Sequence, residues 1–289
     1  MGLDITLGVS TWLFTSPFRS SEAAPLFAKL KKMGFDKVEI AVEDTSIVDV
    51  KELRACLDES GLEPLICGAF GPSRDLTNDD PSLQQIGLDY IEDCLELSAA
   101  VGAKFLAGPM YAAVGKARML PPEQRLIEWE RAVLNLQKVC QMASSRGLEI
   151  ALEPLNRFES DLINTTDDVL RLIEDINHPA AKIGLDMFHM NIEEPDPKQA
   201  LMAAGSKLIH LQVAENYRGT PGTGSAPWQA YYEGLEAISY QGTVCIESFT
   251  PENKELAAAV CIWRNLAESQ DAFAENGLHF LQQWKTGKF

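Results

Sequence analysis

The sequence predicts an α/β fold in which a single domain, residues 1–289, forms a (β/α)8 TIM barrel. Eight short apolar segments rich in β-branched residues alternate with longer amphipathic segments, a pattern typical of a parallel sheet covered by helices. Sharing 289 residues among eight units gives about 36 residues per unit, which is normal for this barrel. The first apolar segment is not followed by the GxGxxG loop of an open doubly wound sheet, so a closed barrel is favoured.

The eight apolar segments are the predicted barrel strands. In chain order we expect strands over Ile5–Thr11, Lys37–Val42, Glu63–Phe70, Lys104–Met110, Glu149–Pro154, Lys182–Met187, Leu208–Ala214 and Thr243–Ser248. The amphipathic segments between them predict helices, among them Ser21–Met33, Leu83–Val101, Pro122–Arg146 and Thr166–Ile176. A glycine commonly follows such a segment, as in KKMGFDKVEI and AAVGAKFLAG, and we expect it to end the helix as a left-handed cap.

Composition excludes several classes of protein. The formal charge of −17, with no run of lysine or arginine, argues against nucleic-acid binding. No 18-residue apolar run could cross a membrane, and the N-terminus lacks the pattern of a signal peptide. The six cysteines have no metal-site or disulfide-framework spacing, so we expect reduced core residues and a cytoplasmic enzyme: Cys56, Cys67, Cys94, Cys140, Cys245 and Cys261.

Polar residues interrupt the apolar segments of the sequence where four successive predicted strands end. They are Glu153, Asp186, Gln212 and Glu247. Each would be costly to bury without a partner, and three carboxylates without a cation would repel one another. The intervals between them are about one βα unit, so the side chains should meet at the C-terminal end of the barrel, where barrel enzymes carry their active sites. An all-oxygen set favours Mn²⁺ or Mg²⁺, although any one of the four could instead be a strand-end residue paired with a lysine or arginine.

The four histidines divide into candidates for the site and structural residues. His210 lies two residues before Gln212 on one face of its strand, so one of the two is the expected ligand and the other its neighbour below. His189 begins a loop and is expected to face solvent or substrate. His178 in a turn and His279 on the last helix are assigned to structure.

At these strand ends the amino-acid sequence resembles the ketose 3-epimerase family, which includes the D-tagatose and D-psicose 3-epimerases of the xylose isomerase-like barrels. The resemblance covers essentially the whole chain and is most specific between Glu153 and Phe249. It is carried by Glu153–Glu159 (EPLNRFE), Leu162–Thr165 (LINT), Asp186–Glu194 (DMFHMNIEE), Arg218, Pro221–Gly224 (PGTG), Trp228, Glu247–Phe249 and Ile262–Ala267.

The resemblance implies roles for individual residues. Mn²⁺, or Mg²⁺ or Co²⁺, would be held by Glu153, Asp186, Gln212 and Glu247. The two glutamates would also act as catalytic acid and base. The oxygens at the reacting end of the sugar would be surrounded by Glu159, His189 and Arg218. Pocket walls, which could equally be ordinary packing, would include Trp12, Cys67, Gly68, Tyr111 and Phe249.

The expected activity is inversion of C3 of a free ketose through a cis-enediolate, by a homodimer or homotetramer whose substrate is a small sugar. One residue departs from the family, which usually has histidine where this chain has Gln212. The stretch HLQVAE with the following PGTG looks like hydroxypyruvate isomerases, so an isomerase of that type stays open, as does an enzyme acting on inososes or other keto-sugars. A phosphodiesterase of the abasic-site endonuclease type is disfavoured by four histidines and the charge of −17.

Overall fold

Eight parallel strands close into a barrel in chain order, which confirms the predicted (β/α)8 fold. The computed structural model describes residues 2–288. The strands are β1 (Thr6–Ser10), β2 (Lys37–Val42), β3 (Glu63–Gly68), β4 (Phe105–Gly108), β5 (Glu149–Leu152), β6 (Ala181–Asp186), β7 (Leu208–Val213) and β8 (Thr243–Ile246). Pairing of β1 with β8 completes the ring, for example through Leu7 and Val244.

Helices cover the outside of this ring. They are α1 (Ala23–Met33), α2 (Val50–Ser60), α3 (Pro81–Val101), α4 (Pro122–Ser145), α5 (Thr166–Ile176), α6 (Met187–Glu193), α7 (Pro197–Ala204), α8 (Trp228–Ala237), α9 (Lys254–Ala259) and α10 (Gln270–Trp284). The four predicted helices are all present, with ends within two residues of expectation. Gly34 and Gly102 have φ of 108° and 85° after α1 and α3, which confirms the predicted left-handed caps.

Most strands are shorter than predicted at their C-terminal ends. Apolar residues continue in the sequence past the last hydrogen bond of the strand ladder, because the chain there is still buried while it turns out of the barrel. At β4, for example, Gly108 takes φ of 129° and ends a strand that the pattern extended to Met110. As a result Glu153 and Glu247 lie one residue beyond β5 and β8, whereas Asp186 and Gln212 are still within their strands.

The hydrophobic core has two parts. A large cluster fills the space between the ring of strands and the helices, and a small cluster lies inside the barrel. The inner cluster consists of Leu65, Cys67, Phe105, Ala107 and Ala151. Such inward side chains make the interior of this barrel a packed core, so the chemistry is confined to the open C-terminal end.

All six cysteines are free, and four of them are buried. The expectation that every cysteine belongs to the core is wrong for Cys56, which is half-buried on α2, and for Cys261, which is exposed. Cys261 follows the short helix α9 at φ of 57°, where the chain turns away from the core despite its apolar neighbours. Within residues 2–288, no helix has both the length and the apolar character that crossing a bilayer requires.

Candidate active site

The structure brings the four predicted metal ligands to the same end of the barrel. These residues lie at the C-terminal ends of β5 to β8 and are between 1% and 6% exposed: Glu153, Asp186, Gln212 and Glu247. The strand register pairs Asp186 with Gln212, so these two side chains stand at one height. Four polar groups therefore share a water-poor pocket in which their charges interact strongly.

Arg218 inserts a positive charge between two of the carboxylates. Its Nη1 donates to Asp186 Oδ2 at 2.6 Å and to Glu247 Oε2 at 3.0 Å. The guanidinium also lies 4.2 Å from the centre of the Phe188 ring, a cation–π contact. Arg218 adopts φ of 63° in the loop after β7, a left-handed conformation that directs its side chain back into the pocket.

The charges in this pocket move the pKa values of its carboxyl groups apart. Burial first, and then the neighbouring charges of Glu247 and Asp186, raise the pKa of Glu153 well above its usual range. Burial likewise raises the pKa of Glu247, although Arg218 opposes the shift. Burial alone would also raise the pKa of Asp186, but the nearby charge of Arg218 outweighs it and lowers this pKa. The two glutamates therefore hold a proton more readily than Asp186 does.

His189 lies in helix α6 rather than at the start of a loop, so that expectation was wrong. The helix begins there because the Asp186 carboxylate accepts a hydrogen bond from the Phe188 backbone N–H and caps it. The His189 ring is buried, and its Nδ1 accepts the backbone N–H of Asn156 at 3.0 Å. Since a backbone N–H can only donate, Nδ1 is the acceptor of this contact. The Arg218 guanidinium, which also can only donate, lies with Nη2 3.3 Å from the other ring nitrogen, Nε2. That nitrogen lies 3.6 Å from Glu153 Oε1.

Asn156 links two residues that the sequence predicts around the substrate. Its Nδ2 lies 2.8 Å from Glu159 Oε1 and 2.8 Å from His189 Nδ1. Its own side-chain oxygen accepts the Phe158 backbone N–H at 2.9 Å, which fixes the amide orientation. Asn156 was not selected from the sequence, although it lies within the EPLNRFE motif.

A buried carboxylate beneath the pocket, Glu39 of β2, was missed by the sequence reasoning. It is fully buried, and its Oε1 accepts the side-chain N–H of Gln212 at 3.0 Å. The same Gln212 nitrogen donates to Glu247 Oε1 at 2.7 Å. His210, the expected neighbour below Gln212, contacts Glu39 Oε2 through Nε2 at 2.6 Å. The signal was available, because an acid within the apolar strand KVEIAV is the pattern that selected the other four residues.

The donor set suits a divalent cation. Metal-capable atoms approach within 4.8 Å of one another in two buried groups, Glu153 with Asp186 and His189, and Glu39 with Cys67 and Glu247. The Arg218 guanidinium, held by one carboxylate of each group, already places positive charge between them. Oxygen ligands with mutually repelling charges are the set that Mn²⁺ and Mg²⁺ bind in proteins. Of the predicted ligands, Glu153 and Asp186 belong to one of these groups and Glu247 to the other.

The residues predicted to form the pocket walls make different kinds of contact. The Trp12 indole lies 5.6 Å from the Phe249 ring, and its N–H donates to Glu43 Oε1 at 2.8 Å. Phe249 also lies 5.2 Å from the Arg218 guanidinium. The Tyr111 hydroxyl instead donates to the backbone carbonyl of Ile163 at 3.2 Å, which uses its polar end for packing. Cys67 lies on β3 beside Glu39 and Glu247, and burial raises the pKa of its thiol well above the usual range. Sugar contact by these four residues stays a prediction.

Glu215 organises the loop that carries Arg218. This buried carboxylate accepts the backbone N–H of Gly222 at 2.8 Å and of Ala226 at 2.6 Å, and the indole N–H of Trp228 at 3.1 Å. The PGTG turn is thereby folded around a single side chain. A carboxylate with several N–H donors is well stabilised without a cation, so Glu215 is a structural acid.

A second buried ion cluster holds the loops beside the pocket. Lys116 donates to Asp75 Oδ2 at 2.9 Å and to Glu128 Oε2 at 2.8 Å, joining the loops after β3 and β4 to α4. Lys116 also forms a β-bridge with Ser160, next to Glu159. The cluster thus supports the segment that carries a predicted substrate residue.

Comparison with known proteins agrees with this geometry. The sequence pattern of the family described as "Xylose isomerase-like TIM barrel" matches residues 27–272. A Synechocystis protein named "Probable ketose 3-epimerase" is 33% identical over 279 residues, which are 96% of each chain. The crystal structure of a D-allulose 3-epimerase from Methylomonas in complex with D-allulose superposes with a TM-score of 0.91 at 28% identity, covering 98% of this chain and 99% of that one.

A further relative acts at a different carbon according to its name. The 3-dehydro-D-guloside 4-epimerase of Escherichia coli is 34% identical over 225 residues, 76% of this chain and 85% of the relative. The resemblance to ketose 3-epimerases inferred from the sequence is confirmed by the other relatives. The chain belongs to the xylose isomerase-like TIM barrel family.

Proposed function

We propose that this protein is a divalent-metal-dependent epimerase that inverts C3 of a free ketose of the D-tagatose, D-psicose or D-fructose type. The observation that carries the proposal is the pair Glu153 and Glu247, two buried carboxyl groups with raised pKa in one pocket. They follow β5 and β8, which are three strands apart on the ring, so they can approach a central substrate from different sides. Inversion of a carbon needs an acid and a base on opposite faces.

We assign the cation to the four predicted ligands, Glu153, Asp186, Gln212 and Glu247, with Mn²⁺ as the first candidate and Mg²⁺ or Co²⁺ as alternatives. When bound, the ion would act as a Lewis acid that makes the hydrogen beside a ketone more acidic. The fit rests on the oxygen donors and on the positive charge that Arg218 already places between two of them.

The two glutamates divide the proton transfers. One takes the C3 hydrogen as a proton, and the electron pair that remains on carbon moves toward C2 and its oxygen to give a cis-enediolate. The other returns a proton to the opposite face of C3, which restores the ketone with inverted configuration. Burial raises the pKa of both glutamates, which makes each a better proton acceptor than an exposed carboxylate.

Other residues of the pocket would stabilise the negative charge on oxygen. His189 contributes a buried ring that Asn156 holds at Nδ1, and burial lowers the pKa of this ring so that it stays neutral. Arg218 offers a permanent positive charge, and Glu159 would orient a sugar hydroxyl.

Replacement of Glu247 by glutamine tests the proton transfer. We expect the E247Q protein to fold and to bind Mn²⁺, yet to exchange substrate hydrogen with D₂O at least about 100-fold more slowly. The E153Q protein should behave in the same way. Glu149→Gln is the matched control, because Glu149 lies on β5 at the far end of the barrel and contacts only Lys182 among the described ion pairs. Full exchange by E247Q, or equal loss in E149Q, would contradict the assignment.

The second candidate is an isomerase of the hydroxypyruvate type, which Gln212 favours because the ketose 3-epimerases usually have histidine there. In that reaction the proton returns to the neighbouring carbon, and a 4-epimerase would label yet another carbon. Proton NMR in D₂O with a panel of ketohexoses, hydroxypyruvate and a 3-keto glycoside separates these reactions by the position of deuterium. Deuterium at C3 of a ketohexose, with appearance of its C3 epimer, supports the proposal.

We also propose a cytoplasmic homodimer or homotetramer. Six free cysteines are in keeping with a reducing compartment. Exposed apolar side chains beside the barrel mouth, Met119, Phe158 and Trp263, are candidates for contact between subunits. Light scattering of the purified protein tests the state of assembly, and a monomer would contradict it.

A further inference from the structure

Glu39 and Gln212 meet across the interior of the barrel. They lie on β2 and β7, which are three strands apart on the ring, and their contact joins residues 173 apart in the chain. Glu39 is 0% exposed, and a carboxylate in that position is costly unless its oxygens receive hydrogen bonds. Its two oxygens are used separately, Oε1 by Gln212 and Oε2 by His210.

The chemistry of the donors fixes which way the Gln212 amide faces. The NH₂ group is the end directed to Glu39 and to Glu247, and an oxygen of each carboxyl group accepts one hydrogen bond from it. Both amide hydrogens are then used. The amide oxygen, the only end that can bind a cation, is then free of these two hydrogen bonds.

This arrangement matters because the two ends of a glutamine side chain differ only by a half-turn. If the amide flipped, its NH₂ group would face the cation and the ligand would be lost. Glu247 alone does not fix the orientation of the Gln212 amide, because Glu247 is itself a predicted metal ligand and also accepts a hydrogen bond from Arg218. Glu39 has no other partner at Oε1 than Gln212 among the described hydrogen bonds, so it is the group free to hold the amide.

We propose that Glu39 is a positioning residue that orients Gln212 as an oxygen ligand of the divalent cation. The proposal rests on the cation site assigned under the proposed function. His210 supports it by fixing the carboxylate through Oε2, with the proton on its Nε2. An outer partner of this kind is worth about 10- to 100-fold in metal affinity in other proteins.

The test is Mn²⁺ binding, measured by calorimetry on the metal-stripped full-length protein. Glu39→Gln leaves one acceptor oxygen where the carboxylate has two, so Gln212 or His210 loses its acceptor. We expect its Kd for Mn²⁺ to rise by at least about tenfold. Glu149→Gln is the matched control, because Glu149 lies at the far end of the barrel on β5 and its ion-pair partner among the described residues is Lys182. The Kd of this variant for Mn²⁺ should stay within about threefold of the wild-type value, even if its melting temperature changes.

A double-mutant cycle shows whether Glu39 acts through the amide. In a Gln212→Ala background, Glu39→Gln should weaken Mn²⁺ binding no further. Should Glu39→Gln fail to fold, E39M combined with H210F removes the buried polar partners together and should still show the tenfold loss.

The outcomes separate the two proposals. Absence of Mn²⁺ binding by the wild-type protein would refute the cation site itself. If the wild-type protein binds Mn²⁺, three results would overturn the role of Glu39 alone. They are an unchanged Kd in the Glu39 variants, an equal loss of affinity in Glu149→Gln, and a full additional loss in the Gln212→Ala background.

Discussion

Replacement of Arg218 by methionine isolates the electrostatics of the pocket. Methionine keeps most of the apolar volume and, like arginine, has a Cβ, so the left-handed backbone at this position is equally strained in both proteins. The change removes the cation that donates to Asp186 at 2.6 Å and to Glu247 at 3.0 Å. Removing one partner of a buried ion pair costs about 3–5 kcal/mol, since the other charge is left uncompensated. We expect a loss of that size in the free energy of unfolding at pH 8.

The loss should depend on pH. In the wild-type protein the pKa of Asp186 is lowered, so its contribution to stability is present above the ordinary carboxyl pKa and is lost as the pH falls through the lower folded value. Without Arg218, burial would raise this pKa, and protonation would then favour the folded state. The difference between variant and wild type should therefore be largest at pH 8 and become smaller toward pH 5.

Urea unfolding followed by circular dichroism, at pH 5 to 8 without metal, measures both effects. Adding Mn²⁺ provides a second readout, because an ion at 100 times its Kd stabilises a folded protein by about 2.7 kcal/mol. At one fixed Mn²⁺ concentration the stabilisation should be greater in the variant, because no guanidinium competes for Asp186 and Glu247 and the Kd is lower. A stability loss below about 1 kcal/mol, the range of an exposed pair, would refute the buried ion-pair reasoning, as would a difference that grows toward low pH.

Two other predictions concern the surroundings of the pocket. Lys116→Met should lower the free energy of unfolding by about 3 kcal/mol at pH 7 in urea titrations. Burial would raise the pKa of Glu128, but hydrogen bonds from Arg118 and Lys116 outweigh it and lower this pKa to about 2. The loss of stability should therefore shrink as the pH falls from 4 toward that value. A loss of stability that does not depend on pH would contradict the pairing of Lys116 with Glu128. Asn156→Ala should reduce kcat/KM about tenfold in steady-state assays, since His189 loses a partner, while its melting temperature changes little; unchanged kcat/KM would contradict the link.

The alternation of apolar segments was sufficient to predict the barrel and the order of its strands. Lys37–Val42 and Thr166–Ile176 have the predicted bounds, because a periodic apolar pattern and a sharp turn coincide there. Strand ends were less certain from sequence, since burial continues beyond the last ladder hydrogen bond. Gly108 shows this at β4.

Some features of the barrel interior and of the loops could not be predicted from the sequence. Glu39 escaped attention because its strand lies far from the four late strands in the chain, although it touches Gln212 in space. His189 was expected in a loop, and the helix that carries it depends on a cap from Asp186. Nothing in the sequence indicated that Asn156 would hold the His189 ring by donating its backbone N–H to Nδ1.

By itself, the sequence determined the closed barrel and the level at which Glu153, Asp186, Gln212 and Glu247 meet, because one polar residue per βα unit must return to the same end of the ring. Only the tertiary structure decided how those groups are paired: Arg218 between two carboxylates, and the Gln212 amide facing Glu39. Charge and hydrogen bonding act over a few ångströms between side chains that are distant in the chain, so spacing along the sequence does not specify them.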